Sequence, residues 1–272
     1  MRTLLVVLIL GLAGAGSTAA SAQGRDENAG FCQSRNWTLR IDGCTALITS
    51  GRETPQNLAV DFNNRGIAYH ATGQIERAIA DFSQAIKLDA GFAAAFTNRG
   101  NAYLGQGDDD RAILDFDAAI RLNPRFTVAY NSRGTAWTAK GDYRRAIRDL
   151  DRAIGLDPSY ASAWNSRCYA RALSGQGEAA LADCNEALRL LPGNANILDS
   201  RGFAELGLRL YQAAFADYDA ALKLSPRAAS SLYGRGLAER AQGNAAAAAA
   251  DMTRARRLDP GVAGPFERAR LQ

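Results

Sequence analysis

Four cysteines and a single histidine bound the chemistry this sequence could perform. An even number of cysteines suits disulfides, and four allow three connectivities. Cys32 and Cys44 are 12 positions apart, Cys168 and Cys184 16 apart, and no histidine lies near either pair. Those spacings fit no common zinc pattern, so no metal site is expected. His70 has no cysteine nucleophile to serve and reads as a surface or core residue. The run Asp108-Asp109-Asp110 offers too few oxygen ligands for calcium and reads as the acidic opening of a helix. There is no phosphate loop, Gly-x-Ser-x-Gly, His-Glu-x-x-His or dinucleotide fingerprint. These residues point away from an enzyme and call for no cofactor.

The rest of the composition says what could position such residues. Of 272 residues, 47% are hydrophobic and 22% charged, which excludes disordered, collagen-like and multi-span membrane chains. Alanine is abundant and β-branched residues are scarce, which favours helix. A net charge of +4 is too small to argue for nucleic acid. Met1-Arg2, the apolar run Thr3 to Gly16 and the small-x-small triplet Ala20-Ser21-Ala22 read as a secretory leader over residues 1–22. The run is shorter than the roughly 20 apolar residues a membrane span needs. The cut chain is therefore expected to be periplasmic or secreted and not inserted in a membrane. That compartment is oxidising and favours cysteine pairing.

From Ala59 onward the sequence repeats itself every 34 residues. Asn64-Arg65-Gly66 returns as Asn98-Arg99-Gly100, Ser132-Arg133-Gly134, Ser166-Arg167-Cys168, Ser200-Arg201-Gly202 and Gly234-Arg235-Gly236. Units counted from Ala59, Ala93, Thr127, Ala161, Ala195 and Ala229 carry alanine at positions 10, 20 and 27 throughout. Five of the six end on proline at position 32. Positions 4, 8 and 11 share one helical face, and positions 20, 24 and 27 another. Gly73, Gly107, Gly141, Gly175 and Gly243 fall between the two runs and end the first helix. Large residues at positions 4 and 24, such as Phe62, Phe82 and Phe116, fill the space beside the small ones. The proline stops the second helix and turns the chain into the next unit.

This pattern resembles the tetratricopeptide repeat family over Ala59 to about Val262. The resemblance implies an all-α, right-handed superhelical α-solenoid of six helical hairpins (residues 59–262). Asp42-Gly43-Cys44-Thr45-Ala46-Leu47 resembles Asp81 to Ile86, which places a half repeat within residues 23–58. Pro265 to Leu271 is expected to form a short charged cap helix within residues 263–272, since solenoid ends need covering. Arg209 stands where a turn glycine is usual, and Arg171, Glu205 and Glu239 replace the aromatic at position 11. Looser packing is expected late in the array.

Arginine at position 7 (Arg65, Arg99, Arg133, Arg167, Arg201, Arg235) recurs in register with aspartate at position 23 (Asp81, Asp115, Asp149, Asp183, Asp217, Asp251). The expected reading is one ion pair per repeat that fixes helix against helix, because matched charge cancels any field for nucleic acid. Cys168 and Cys184 occupy positions 8 and 24 of one unit, on facing helices. Bridges Cys168–Cys184 and Cys32–Cys44 are expected, with free buried thiols as the alternative.

By analogy with the family, a concave wall formed by the first helices would bind a protein or peptide partner. Asn63, Asn131, Asn165 and Asp199 stand at position 5 and Asn98 at position 6. A carboxamide there can hold a peptide backbone, or it can bond neighbouring helices. At positions 9 and 12 the wall turns from polar (Asn101) to apolar (Tyr169, Phe203, Leu206, Leu237), an anchor site or the seat of the cap. Positions 2, 5 and 6 are not basic, which argues against a clamp for a partner's C-terminal carboxylate. The expected function is a non-enzymatic scaffold or adaptor of the cell envelope. A structural or oligomerising module using convex or end surfaces is the alternative.

Overall fold

The computed structural model describes residues 15–271, with side chains from Gly24 onward. Most of the expected leader, residues 1–14, lies outside the described residues. Every regular element among the described residues is an α-helix, and none is long and apolar enough to cross a membrane. The chain divides into two compact units at Ala102/Tyr103.

The first unit contains α1 (Ala15–Cys32), α2 (Trp37–Thr49), α3 (Pro55–Ala71), α4 (Ile75–Leu88) and the start of α5 (Ala93–Gly105). Neighbours in sequence are neighbours in space: α1 packs on α2, α2 on α3 and α3 on α4. The region expected to supply half a repeat thus holds a full helical hairpin. Its first helix has no repeat signature and was invisible to a search by period. Asn36 caps α2 by accepting from the Thr38 and Leu39 N–H groups at 3.0 and 3.3 Å. Cys32 and Cys44 are joined across this hairpin, with an S–S distance of 2.01 Å. Within α3, Gly66 lies under the Phe82 ring, where an added Cβ would come within 2.7 Å of a ring carbon. That close approach explains the small residue at position 8 opposite a large one at position 24.

The second unit continues with α6 (Asp109–Leu122), α7 (Thr127–Ala139), α8 (Tyr143–Leu156), α9 (Ala161–Leu173) and α10 (Gly177–Leu190). It ends with α11 (Ala195–Gly207), α12 (Tyr211–Leu224), α13 (Ala229–Ala241), α14 (Ala245–Leu258) and the short α15 (Gly264–Arg268). Hairpins α7/α8, α9/α10, α11/α12 and α13/α14 stack in chain order, and the first helices also meet directly, α7 with α9, α9 with α11 and α11 with α13. Asp108 and Asp142 cap α6 and α8 by accepting from the Arg111 and Arg145 N–H groups at 3.1 and 2.9 Å. The acidic run at 108–110 is therefore a helix start. The turns between paired helices pass through the left-handed region at Gly107 and Gly141, with φ of 76° and 79°. Arg209 makes the same turn with a φ of 59°. Cys168 and Cys184 are bonded across α9 and α10, at 1.99 Å.

Packing does not loosen late in the array. The largest apolar cluster of this unit gathers Phe203, Tyr218, Leu232, Tyr233, Leu237, Met252 and Phe266. The cluster joins residues at pattern positions 4 and 24 (Leu232, Tyr218, Met252) to others outside the strict pattern, Phe266 among them.

Candidate binding groove

The arginines at position 7 are spent on the scaffold. Arg65, Arg133, Arg167, Arg201 and Arg235 each grip the aspartate 16 residues ahead through two bonds of 2.6–3.2 Å. Arg99 and Asp115 fall on opposite sides of the division between the units. The same guanidinium groups also reach backward. Arg167 meets Asp151 at 2.6 Å, Arg201 meets Asn185 at 2.9 Å and Arg235 meets Asp219 at 2.8 Å. In the first unit, Arg65 and Arg99 donate to the Thr45 and Ser83 hydroxyls, both at 3.1 Å. Arg65, Arg133, Arg167, Arg201 and Arg235 each touch their own second helix and the one before it. Burial would lower the Arg133 guanidinium, but its bonds to Asp149 and Asp117 raise it further. The reading of these positions from sequence missed the backward partner. Its signal was the recurrent polar residue at position 25: Ser83, Asp117, Asp151, Asn185 and Asp219. Bidentate, half-buried arginines are unavailable to phosphate.

The position-5 residues divide into three kinds. Asn63 is buried, and its Oδ1 accepts from Asn98 Nδ2 at 2.9 Å, so this pair ties α3 to α5 within the first unit. Asp199 accepts from the Ser230 hydroxyl at 3.0 Å and also from Ser231, tying α11 to α13. Between them, Asn131 and Asn165 each bury an Oδ1 with no hydrogen-bond partner. The reason lies at position 6, where Ser166 and Ser200 replace the longer asparagine. Ser200 Oγ turns to its own helix and bonds Asn196 O at 3.0 Å. Asn101 is half-buried on α5.

Asn165 stands at the wall of a cavity of about 490 Å³. Thr135 and Thr138 of α7, Tyr169 of α9, Asp199 and Ser200 of α11, Ser230 of α13 and Arg268 of α15 complete most of it. Burial pushes the Asp199 carboxyl up against the opposing effect of its two serines. Burial, and then the Asp199 charge, pushes the Tyr169 hydroxyl up to about 12. The cavity thus carries several acceptors and one exposed base, and suits a ligand with N–H donors.

The apolar end, expected as an anchor site or as the seat of the cap, is covered by the C-terminal segment. Phe203, Leu206 and Leu237 are only 2–6% exposed. The cause is α15, which brings Phe266 to a ring-centroid distance of 5.0 Å from both Phe203 and Tyr233. Tyr169 meets Phe203 edge-on at 5.4 Å. A side chain far along the sequence fills the slot, which no spacing within the repeats could reveal.

Models of the tetratricopeptide repeat, and one described simply as TPR repeat, match residues 66–107, 93–126, 134–195 and 201–263. The chain belongs to the tetratricopeptide repeat family. No curated protein sequence matches it significantly. Among solved structures, a tetratricopeptide repeat protein from Parabacteroides merdae is 17% identical, with 93% of this chain and 98% of that one aligned at a TM-score of 0.71. PilW, a widely conserved type IV pilus biogenesis factor, is 19% identical over 75% of this chain and 94% of its own, with a TM-score of 0.65. YrrB, a tetratricopeptide repeat protein with an unusual peptide-binding site, is 22% identical over 71% of this chain and 97% of its own, at 0.50. At these identities the likeness is one of fold, and the fold is that of a protein-interaction scaffold.

Proposed function

We propose that this tetratricopeptide protein is a non-enzymatic scaffold of the cell envelope that holds an extended peptide of a partner in the open groove of its second unit. One observation carries the reading: Asn165 lines a roomy cavity while its Oδ1 is buried without a hydrogen-bond partner. An unsatisfied buried acceptor costs about 1–3 kcal/mol, and a carboxamide turned toward the cavity would let a peptide N–H laid along α9 satisfy it. Two bridged cysteine pairs and the PilW-like fold support an extracytoplasmic setting. The test is capture of partners from the exported fraction by wild type and Thr135→Arg. Thr135 is exposed on the cavity wall, so arginine there fills the groove without touching the core. Loss of capture with unchanged helicity supports the groove; undiminished capture overturns it. Exported protein beginning at Gln23 supports the envelope reading, and protein retaining residues 1–22 in the cytoplasm counts against it.

The self-filled apolar slot favours a second reading, a structural module that uses other surfaces. Undiminished capture by Thr135→Arg, together with self-association of the purified chain, would establish it.

A further inference from the structure

The last repeat of a solenoid needs an outer face that water tolerates, and α14 offers one of small alanines and two arginines. Ala246, Ala250, Arg254 and Arg257 are exposed along it. The segment 259–271 is therefore free for another task, and it folds back across the groove instead of extending the stack. The turn begins at Asp259, whose carboxylate accepts from the Gly261 N–H at 2.8 Å. Phe266 then enters the slot between Phe203 of α11 and Tyr233 of α13, and is 2% exposed. Two residues on, Arg268 stands at the wall of the cavity that Asp199 also lines. Leu271 packs on the same apolar cluster as Phe266. A tethered aromatic anchor, followed by a base at the wall of a cavity that a half-buried carboxyl group also lines, is the arrangement a bound peptide would show.

We propose that segment 259–271 is a built-in competitor for the groove, displaced by a partner peptide that carries an aromatic residue and a basic residue two positions after it. The proposal rests on the groove reading above and names the class of partner and its regulation. The probe is a fluorescently labelled peptide with this chain's own sequence 259–271, followed by anisotropy against the full chain. The tethered segment holds an effective concentration of about millimolar over its slot, so wild type binds the probe weakly. Phe266→Ala empties the slot, and affinity for the probe rises at least about tenfold. Probes carrying Phe266→Ala or Arg268→Glu lose that gain. Equal binding to wild type and Phe266→Ala, or binding to neither, overturns the proposal. Dimerisation of wild type that Phe266→Ala abolishes makes a second copy the occupant and overturns it too. If Phe266→Ala does not fold, hydrogen exchange of wild type decides. Amides of 261–271 must open locally, well before those of α13, and exchange only through global unfolding overturns the proposal. Probe binding to a Thr135→Arg, Phe266→Ala double variant separates this test from the groove reading, because Thr135 lies outside the Phe266 slot.

Discussion

Replacing Glu205 by glutamine is expected to remove a loss of stability that wild type suffers as pH rises. Glu205 takes the position where earlier repeats have an aromatic, and it is 8% exposed, with Oε2 buried and unpartnered. Burial first, then the Asp217 charge, lifts its carboxyl from an ordinary 4.5 to about 7, against the pull of Arg201. The folded chain therefore keeps a proton on Glu205 that the unfolded chain releases near 4.5. Stability from this group is full below that value and is lost as pH climbs towards 7. At about 1.4 kcal/mol per decade of proton activity, the loss comes to about 3 kcal/mol. Glutamine carries no charge at any pH and keeps a donor for Asp217. Urea unfolding followed by circular dichroism at pH 5, 6, 7 and 8 measures the difference. Wild type should lose about 2–3 kcal/mol more than Glu205→Gln across that range, and the variant should be the more stable protein at pH 8. Parallel pH profiles for the two proteins would refute the reasoning.

Three further outcomes follow from the geometry. Cys168→Ala with Cys184→Ala opens a loop of sequence separation 16 and should cost about 3 kcal/mol in denaturant unfolding, with reduced wild type behaving alike. Arg209→Gly should raise stability by about 1 kcal/mol, because a φ of 59° strains a residue with a Cβ; a fall in melting temperature would count against this. Arg133→Ala should cost about 3 kcal/mol by stranding Asp149, while Arg167→Ala should cost about 1 kcal/mol less. The reason is Arg171, whose guanidinium already meets Asp183 at 2.8 Å and stays behind to pair it. Equal losses in the two variants would show that this second arginine contributes nothing.

The repeat, its helices and its ion pairs were legible because each is written within one period of sequence. Alanine at positions 10, 20 and 27 requires close-packed rods, and an arginine and an aspartate 16 residues apart face each other once the hairpin closes. Cys168 and Cys184 follow from the same register. From Arg99 onward the backward partner of the arginine was present at position 25 but lay hidden among ordinary polar residues. Other features were not legible. That Asn63 bonds a neighbour while Asn165 does not depends on the reach of the residue opposite on the next helix, a matter of about one side-chain carbon. That Glu205 holds its proton depends on how completely the late repeats exclude water.

Sequence alone determined the stacked hairpins, since local periodicity dictates which helical faces are apolar and how each turn ends. Only the tertiary structure decided which part of the groove is open. Phe266 lies outside every repeat, and its seat is assembled from two helices, α11 and α13, of successive hairpins that come together only once the stack has formed.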